Sequence, residues 1–225
     1  PKGSKPSRGA PLRLATSPRN PWLRLARALQ TKKVRRERRL LVAEGEDLLE
    51  AALARGVLPA ALLVDAERVP DDDPRLAATA GVAERYRVPG GLMARASGLA
   101  APPRFLAILP QPPERSFRDV RFPPALGVFL AGVADPGNVG TLVRTAAALG
   151  ADWLALGQGS ADPFHPRAVR AAMGATFAIP LLEGVAPADL ATRAGFDIVA
   201  AVPEGGRPPW EADLTRPHVL ALGAE

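Results

Sequence analysis

The residues of this chain best suited to chemistry lie in Asp135-Pro136-Gly137-Asn138-Val139-Gly140-Thr141-Leu142-Val143-Arg144. A continuous apolar run, Leu126 to Val133, leads into this stretch, and an apolar-periodic helix leads out of it. The order strand, Gly/Pro loop, helix places Gly137, Asn138 and Gly140 at the mouth of a parallel sheet. Small ligands and phosphates are commonly held at such mouths. Asn138 is expected to cap the helix, its side-chain oxygen accepting from free N–H groups of the first turn. Arg144 follows Gly140 by four residues and Gly137 by seven, so the three share one face. With no side chains on the glycines, the guanidinium is expected to look onto open space. Spacing alone fits a ligand-binding mouth and an ordinary sheet mouth with a solvated arginine about equally. The fuller dinucleotide fingerprint, Gly-x-Gly-x-x-Gly, is not present.

Other polar positions follow later strands. Ser160-Ala161-Asp162-Pro163-Phe164-His165-Pro166-Arg167 is a proline-rich loop. Arg167 and Arg170 are expected near the start of the next helix, where basic residues oppose the dipole and an anion such as RNA phosphate would compensate. Simple surface exposure is an equal reading of the two. His165, between prolines, reads as structural more readily than as an acid or base. The last strand runs into Leu222-Gly223-Ala224-Glu225.

Charge is distributed unevenly. Residues 1–39 carry thirteen Lys/Arg and one acid, Glu37, whereas the whole chain is only +6. A basic end of this kind points to an anionic partner, most simply nucleic acid. Pro1 to Arg13 alone reads better as a solubilising tail. Lys32, Lys33, Arg35, Arg36, Arg38 and Arg39 lead directly into structured sequence and are expected to touch RNA, together with Arg24 and Arg27 and with Arg167 and Arg170 farther on. A membrane surface is a poorer partner, because the segment lacks a broad apolar face with aromatic anchors.

Composition narrows the rest. At 225 residues and 47% hydrophobic content the chain can form one large or two small domains with real cores. No apolar run approaches the roughly 20 residues that span a bilayer, and no secretory leader is visible, so a cytoplasmic protein is expected. Without cysteine there is no disulfide and no thiolate nucleophile or metal ligand. His165 and His218 are far apart, so no metal site is expected.

The elements that must position these residues fall into two groups. Residues 1–14 read as a flexible basic arm. Residues 15–109 read as a compact α/β domain, beginning with a basic helix at Asn20-Pro21 that carries a Trp22, Leu25, Ala26 and Leu29 stripe. Five prolines within 110–124 mark an exposed linker. From 125 onward, strands are expected at Leu126–Val133, Trp153–Leu156, Thr176–Ile179, Asp197–Val202 and Val219–Leu222. Helices are expected between them at Val139–Leu149, Pro166–Met173 and Pro187–Ala194. Such alternation gives a mostly parallel sheet covered on both faces.

Four segments together resemble the SpoU (TrmH-like) family of RNA ribose 2′-O-methyltransferases, in the SPOUT class. Asn138 to Gly150 is similar to the family's first signature. Asp162 to Ala175 is similar to its intermediate stretch, with Ala172 where a small hydroxyl residue is frequent. Leu220 to Glu225 looks like the start of its second signature. Arg36 to Leu49 resembles the family's substrate-binding domain, which has a ribosomal-protein-like fold. The resemblance covers about residues 15 to 225 and implies an α/β protein: a small ribosomal-protein-like domain, then a SPOUT-type parallel α/β domain.

It also implies methyl transfer from S-adenosylmethionine to a ribose 2′-hydroxyl of structured RNA, ribosomal RNA being favoured over transfer RNA, by a homodimer. Arg144 would act on the hydroxyl with Asn138 and Glu225 supporting it. Ala201, Val202, Pro203, Leu222 and Gly223 would hold the cofactor. A free guanidinium keeps its proton to above about pH 12, so a phosphate clamp that aligns the hydroxyl is the more economical role for Arg144. The family's third signature, with a Ser-Leu-Asn-x-Ser core, is not reached before Glu225. The methyltransferase domain is therefore expected to be C-terminally incomplete, its knot element missing and its cofactor binding weak or absent. A non-catalytic RNA-binding module is the alternative; a dehydrogenase-like nucleotide binder is disfavoured by the missing fingerprint.

Overall fold

The computed structural model describes residues 11–120, 125–192 and 195–223. The chain divides into two units, Pro1–Gln111 and Pro112–Glu225.

The first unit runs β1 (Arg13–Leu14), α1 (Pro21–Ala28), α2 (Lys32–Arg38), β2 (Leu40–Glu44), α3 (Glu46–Leu53), β3 (Ala61–Asp65), α4 (Pro74–Ala78), β4 (Arg85–Val88), α5 (Gly90–Ala96) and β5 (Phe105–Pro110). Its five strands lie in the order β1-β4-β3-β5-β2, with β5 antiparallel to both neighbours and the other pairs parallel. Central β3 is buried along its whole length, which explains its uninterrupted apolar sequence. Asn20 caps α1 as its type suggests, Oδ1 accepting from the N–H groups of Trp22 at 2.9 Å and Leu23 at 3.3 Å. Of the stripe expected on α1, Ala26 and Leu29 are buried and Trp22 and Leu25 pack, partly buried, against the same core; Leu23, outside that stripe, is buried with them. Trp22 stays at the rim, where its indole N–H donates to Glu84.

Two elements depart from the sequence reading. Arg13 and Leu14, expected in a flexible arm, pair in parallel with Tyr86 and Arg87 of β4. The basic run after residue 31 forms a helix of its own, α2.

Glu84 ties β1, α1 and β4 together. Its Oε2 accepts from Arg13 at 2.6 Å, from the Trp22 indole at 2.7 Å and from the Tyr86 hydroxyl. The Tyr86 hydroxyl first, and then Arg13, hold the Glu84 carboxyl below its ordinary value. A depressed carboxylate stabilises the fold above its unfolded pKa and loses that contribution as pH falls through the folded one. Glu84→Gln is therefore expected to be less stable than wild type near neutrality, with the gap closing under acid. Urea midpoints of both proteins at about pH 7 and about pH 3 check this; a gap that stays constant would contradict it.

The second unit contains β6 (Leu126–Ala131), α6 (Pro136–Ala148), β7 (Trp153–Gly157), α7 (Pro166–Ala172), β8 (Leu181–Val185), α8 (Pro187–Ala191), β9 (Asp197–Ala201) and β10 (His218–Gly223). The sheet is parallel throughout, in the order β8-β7-β6-β10-β9. The strand expected at Thr176–Ile179 is instead a short 3-10 turn, Ala175–Phe177, and the strand follows at β8. Met173 and Gly174, both with positive φ, reverse the chain there, and Pro180 delays pairing until Leu181 meets Leu154.

Trp153 is fully buried against Gly127, where an added Cβ would lie 2.6 Å from the indole ring. Phe117 meets the same indole edge-on at 5.5 Å, and Val120 packs on the same cluster. Within 112–120, expected in an exposed linker, Phe117 and Val120 thus anchor on the core of the second unit, while residues 113–116, 118 and 119 are exposed as expected. Residues 121–124 lie outside the described residues.

Candidate functional site

The site is assembled by the register of the second sheet. In β10, Leu222 pairs with Leu130 of β6 and with Ala201 of β9, and Gly223 pairs with Ala131. The C-terminal ends of three adjacent parallel strands therefore stand side by side in the order β6-β10-β9, and α6 follows β6 directly. This is the mouth the sequence pointed to. Beside it opens a cleft of about 440 Å³, lined by Val133, Ala134, Asp135, Asn138, Thr141, Leu142 and Gly223. A second loop backs the first. The hydroxyl of Ser160 donates to the Leu130 carbonyl at 3.0 Å, and the Ala161 N–H donates to the Val133 carbonyl at 2.9 Å.

The cap of α6 is Asp135 rather than Asn138. The helix begins one turn earlier than expected, at Pro136, and the Asp135 carboxylate accepts from the Asn138 N–H at 3.0 Å. Proline suits the first helical position because its missing N–H has no partner there. Asn138 is thereby relieved of capping, and its exposed side chain faces the cleft mouth. The Asp135 carboxylate also meets Arg167 at 3.2 Å, linking the start of α6 to the start of α7. Its carboxyl is held below the usual carboxylate range, chiefly by the Asn138 N–H and then by the Arg167 guanidinium. Nothing in the Gly/Asn pattern singled Asp135 out; the signal was an aspartate directly before a proline that opens a helix. Asp135→Asn retains a capping oxygen and loses only the ion pair, whereas Asp135→Ala loses both. Thermal unfolding should therefore rank wild type above Asp135→Asn and Asp135→Asn above Asp135→Ala; equal midpoints for the two variants would contradict the capping role.

Arg144 does not line the cleft itself. It sits one helical turn beyond Thr141, exposed, with no hydrogen-bond or ion-pair partner among the described residues. The open space expected over the glycines is not there at Gly140. That residue is buried under α7, where an added Cβ would come within 2.2 Å of the Ala168 carbonyl oxygen and 2.8 Å of the Ala171 Cβ. Gly140 serves the contact between α6 and α7, and Arg144, one turn farther on, is exposed.

The remaining expectations divide. His165 is a cap: its Nδ1 accepts from the Arg167 N–H at 3.1 Å at the start of α7. Arg167 lies at the start of α7 as expected, exposed and paired with Asp135, whereas Arg170 falls in the last turn, where a cation suits the helix dipole and gives no reason for an anion. Ala201 ends β9 beside Leu222, and Val202 and Pro203 are exposed just past it. Glu225 lies outside the described residues. In the first unit Arg24, Arg27, Lys32, Lys33, Arg36 and Arg38 are exposed, and Arg39 is half-buried in a left-handed conformation. Arg35 is the exception. It is 1% exposed, so it cannot take part in surface contact with RNA. Its guanidinium is spent on the carbonyls of Leu29 and Gln30.

Among the described residues no cluster of His, Asp and Glu could hold a metal, and no helix is long and apolar enough to cross a membrane. The cleft has one apolar wall of Val133, Ala134 and Leu142 and one polar edge of Asp135, Asn138 and Thr141. Nothing lies within 4 Å of where a Gly223 Cβ would be, so the strand end leaves its backbone open to a ligand. A small molecule with an apolar body and polar ends fits this lining.

Residues 125–225 match the SpoU rRNA Methylase family, and residues 20–107 match the MRM3-like substrate binding domain. An uncharacterized tRNA/rRNA methyltransferase of Synechocystis is 31% identical over 216 residues, 93% of this chain and 77% of that protein. The 23S rRNA (guanosine(2553)-2′-O)-methyltransferase RlmP of Bacillus subtilis is 30% identical, over 88% of this chain and 76% of its own. The crystal structure of an rRNA methyltransferase from Sinorhizobium meliloti is similar at a TM-score of 0.80 with 31% identity, covering 94% of this chain and 82% of that one. Its AdoMet-bound form is similar at a TM-score of 0.79 with 30% identity, over 94% and 80% of the two chains.

Proposed function

The chain belongs to the SpoU rRNA methylase family, and from that premise we propose that it is an S-adenosylmethionine-dependent RNA 2′-O-methyltransferase acting on ribosomal RNA in the cytoplasm. The observation that carries the reading is the cleft at the ends of β6 and β10, which collects Asn138, Thr141 and Gly223 beside a helix that presents an uncommitted Arg144. An RNA-binding module without activity would not need that arrangement. Relatives that span most of the chain are named as methyltransferases.

Ala201, Val202, Pro203, Leu222 and Gly223 would hold the cofactor at the strand ends. When bound, S-adenosylmethionine supplies an electrophilic methyl group on a sulfonium. The protein's part is alignment. Arg144 takes the phosphate beside the target nucleotide in a two-pronged grip, so that the 2′-hydroxyl is aimed at the cleft. Asn138, released from capping by Asp135, orients the hydroxyl through its side-chain amide, and Glu225 supports the same group. Holding the reactants in line can by itself supply several kcal/mol of barrier reduction, about 7–11 at the upper end.

The first unit would carry the RNA on its exposed lysines and arginines. A homodimer belongs to the same reading: Ile198 of β9 and Val202, Trp210 and Leu214 after it in the chain are exposed apolar residues, Trp210 being 83% exposed. Ribosomal RNA is preferred to transfer RNA because the Bacillus subtilis relative is named for a 23S rRNA nucleotide. Incubation of the full-length gene product with methyl-labelled donor and either total ribosomal RNA or total transfer RNA tests this. Label is expected in ribosomal RNA; label confined to transfer RNA would overturn the substrate assignment.

A further inference from the structure

We propose that Arg35 is a positioning residue for RNA, fixing α2 as a preformed ledge whose exposed cations receive the sugar–phosphate backbone of the substrate. The inference rests on the RNA-methyltransferase reading above and adds to it a buried device that orders the binding surface in advance.

Left to itself, α2 should not be a helix. It has seven residues, Lys-Lys-Val-Arg-Arg-Glu-Arg, and Thr31 at its N-cap makes no side-chain capping bond. Isolated helices in water need about 12–15 residues. Two lysines open the first turn, where the helix dipole disfavours positive charge, and no acid sits there to compensate. Its one acidic residue, Glu37, approaches Lys33 only to 3.9 Å across an exposed face. Such a pair contributes little. The helix must be imposed from outside.

Two fastenings impose it. Arg35 Nη1 donates to the carbonyls of Leu29 and Gln30, each at 2.8 Å, at the end of α1. A cation there meets the negative end of the preceding dipole and satisfies carbonyls that have no helical partner. The second fastening is at the other end of α2. Gln111 Nε2 donates to the carbonyl of Arg35 at 3.2 Å and to that of Leu40 at 3.1 Å. The Gln111 N–H donates to the Arg39 carbonyl at 2.9 Å, and Arg39 closes the helix with a φ of 53°. Burying a guanidinium is expensive unless it is fully engaged. Here a cation from the middle of a basic run is withdrawn from the surface to fix its neighbours.

Those neighbours are Lys32, Lys33, Arg36 and Arg38, all exposed. Held on a rigid turn, they repel one another, and a polyanion relieves the repulsion. RNA fits because its phosphates are regularly spaced and release counterions on binding. The entropy of ordering the segment is met during folding, not at association.

The test measures RNA affinity against salt concentration, with amide exchange over residues 29–39, for the full-length protein and three variants. Arg35→Met is expected to weaken binding about tenfold at fixed salt, with the slope of log affinity on log salt unchanged and faster exchange in α2. Gln111→Ala, acting on the opposite end of the helix, is expected to move both readouts in the same direction. The quadruple variant Lys32→Ala, Lys33→Ala, Arg36→Ala, Arg38→Ala should leave exchange slow and reduce the slope by about 3. The proposal is overturned if Arg35→Met or Gln111→Ala loosens α2 while RNA binds as in wild type, or if the quadruple variant keeps the wild-type slope. A wild-type protein that binds no RNA at all would instead strike the functional reading beneath it.

Discussion

Arg144→Lys is expected to lower methyl transfer to RNA by about a hundredfold while the affinity for S-adenosylhomocysteine stays at the wild-type value. The reasoning starts from what Arg144 touches. It is exposed, unpartnered among the described residues and outside the cleft lining, so replacing it removes no contact that holds the fold or the cleft. Surface changes of that kind shift stability by no more than about 0.5 kcal/mol. What lysine cannot reproduce is the planar fork that grips a phosphate by two parallel hydrogen bonds. A point charge in its place still attracts the backbone but leaves the hydroxyl free to swing, and a displacement of about 1 Å can cost roughly a hundredfold in rate. Single-turnover assays at saturating RNA, with calorimetry for cofactor affinity, separate the two effects. Wild-type rates in Arg144→Lys would remove the phosphate clamp from the account.

Gly140→Ala is expected to unfold the second unit several degrees earlier than wild type and to abolish turnover. In an exposed helix the same change would stabilise by about 1 kcal/mol, because alanine has the better propensity. Here the added methyl falls 2.2 Å from a backbone oxygen, that of Ala168, and 2.8 Å from the Ala171 Cβ. A flexible side chain could rotate away; a carbonyl in a packed helix cannot. Relief requires α6 and α7 to separate, and overpacking of this kind costs about 1–3 kcal/mol, which outweighs the propensity gain. Each kcal/mol moves the midpoint of a unit this size by roughly 4–8 °C. The shift also pulls Asp135 from Arg167 and moves the start of α6, where Asn138 lies. Scanning calorimetry checks the first effect and the transfer assay the second. A wild-type midpoint in Gly140→Ala would mean that the two helices are not in the contact described.

These two residues also mark how far the sequence could be read. The strand, loop and helix around Asp135–Arg144 were legible because each carries its own local signal: an unbroken apolar strand, a Gly/Pro loop, then helical periodicity. The parallel order of the second sheet followed from the alternation of elements, and Gly150 takes the left-handed conformation that suits a glycine just past the end of α6. What spacing could not supply was the partner of each position. Gly140 looked like open space because a helical wheel shows only its own helix; the methyl-excluding neighbour comes from α7, some thirty residues on. The same limit hid Arg35, indistinguishable by type from the cations around it until Leu29 and Gln30 are placed beside it. The expected strand at Thr176–Ile179 has the right β-branched composition, but two left-handed residues before it and Pro180 after it shift pairing to Leu181. Asp135 competed with Asn138 for one role, and the helix start decided between them.

The most direct measurement is the chemical identity of the product. The full-length protein is incubated with S-adenosylmethionine and unmodified ribosomal RNA, the RNA is digested to nucleosides, and the methylated nucleoside is identified by mass spectrometry. A single species carrying its methyl group on the ribose 2′-oxygen, and lost when the target position is a 2′-deoxynucleotide, is the expected result. A methyl group on a base, or none at all while the donor is bound, would contradict the assignment of this cleft and of Arg144 to ribose methylation.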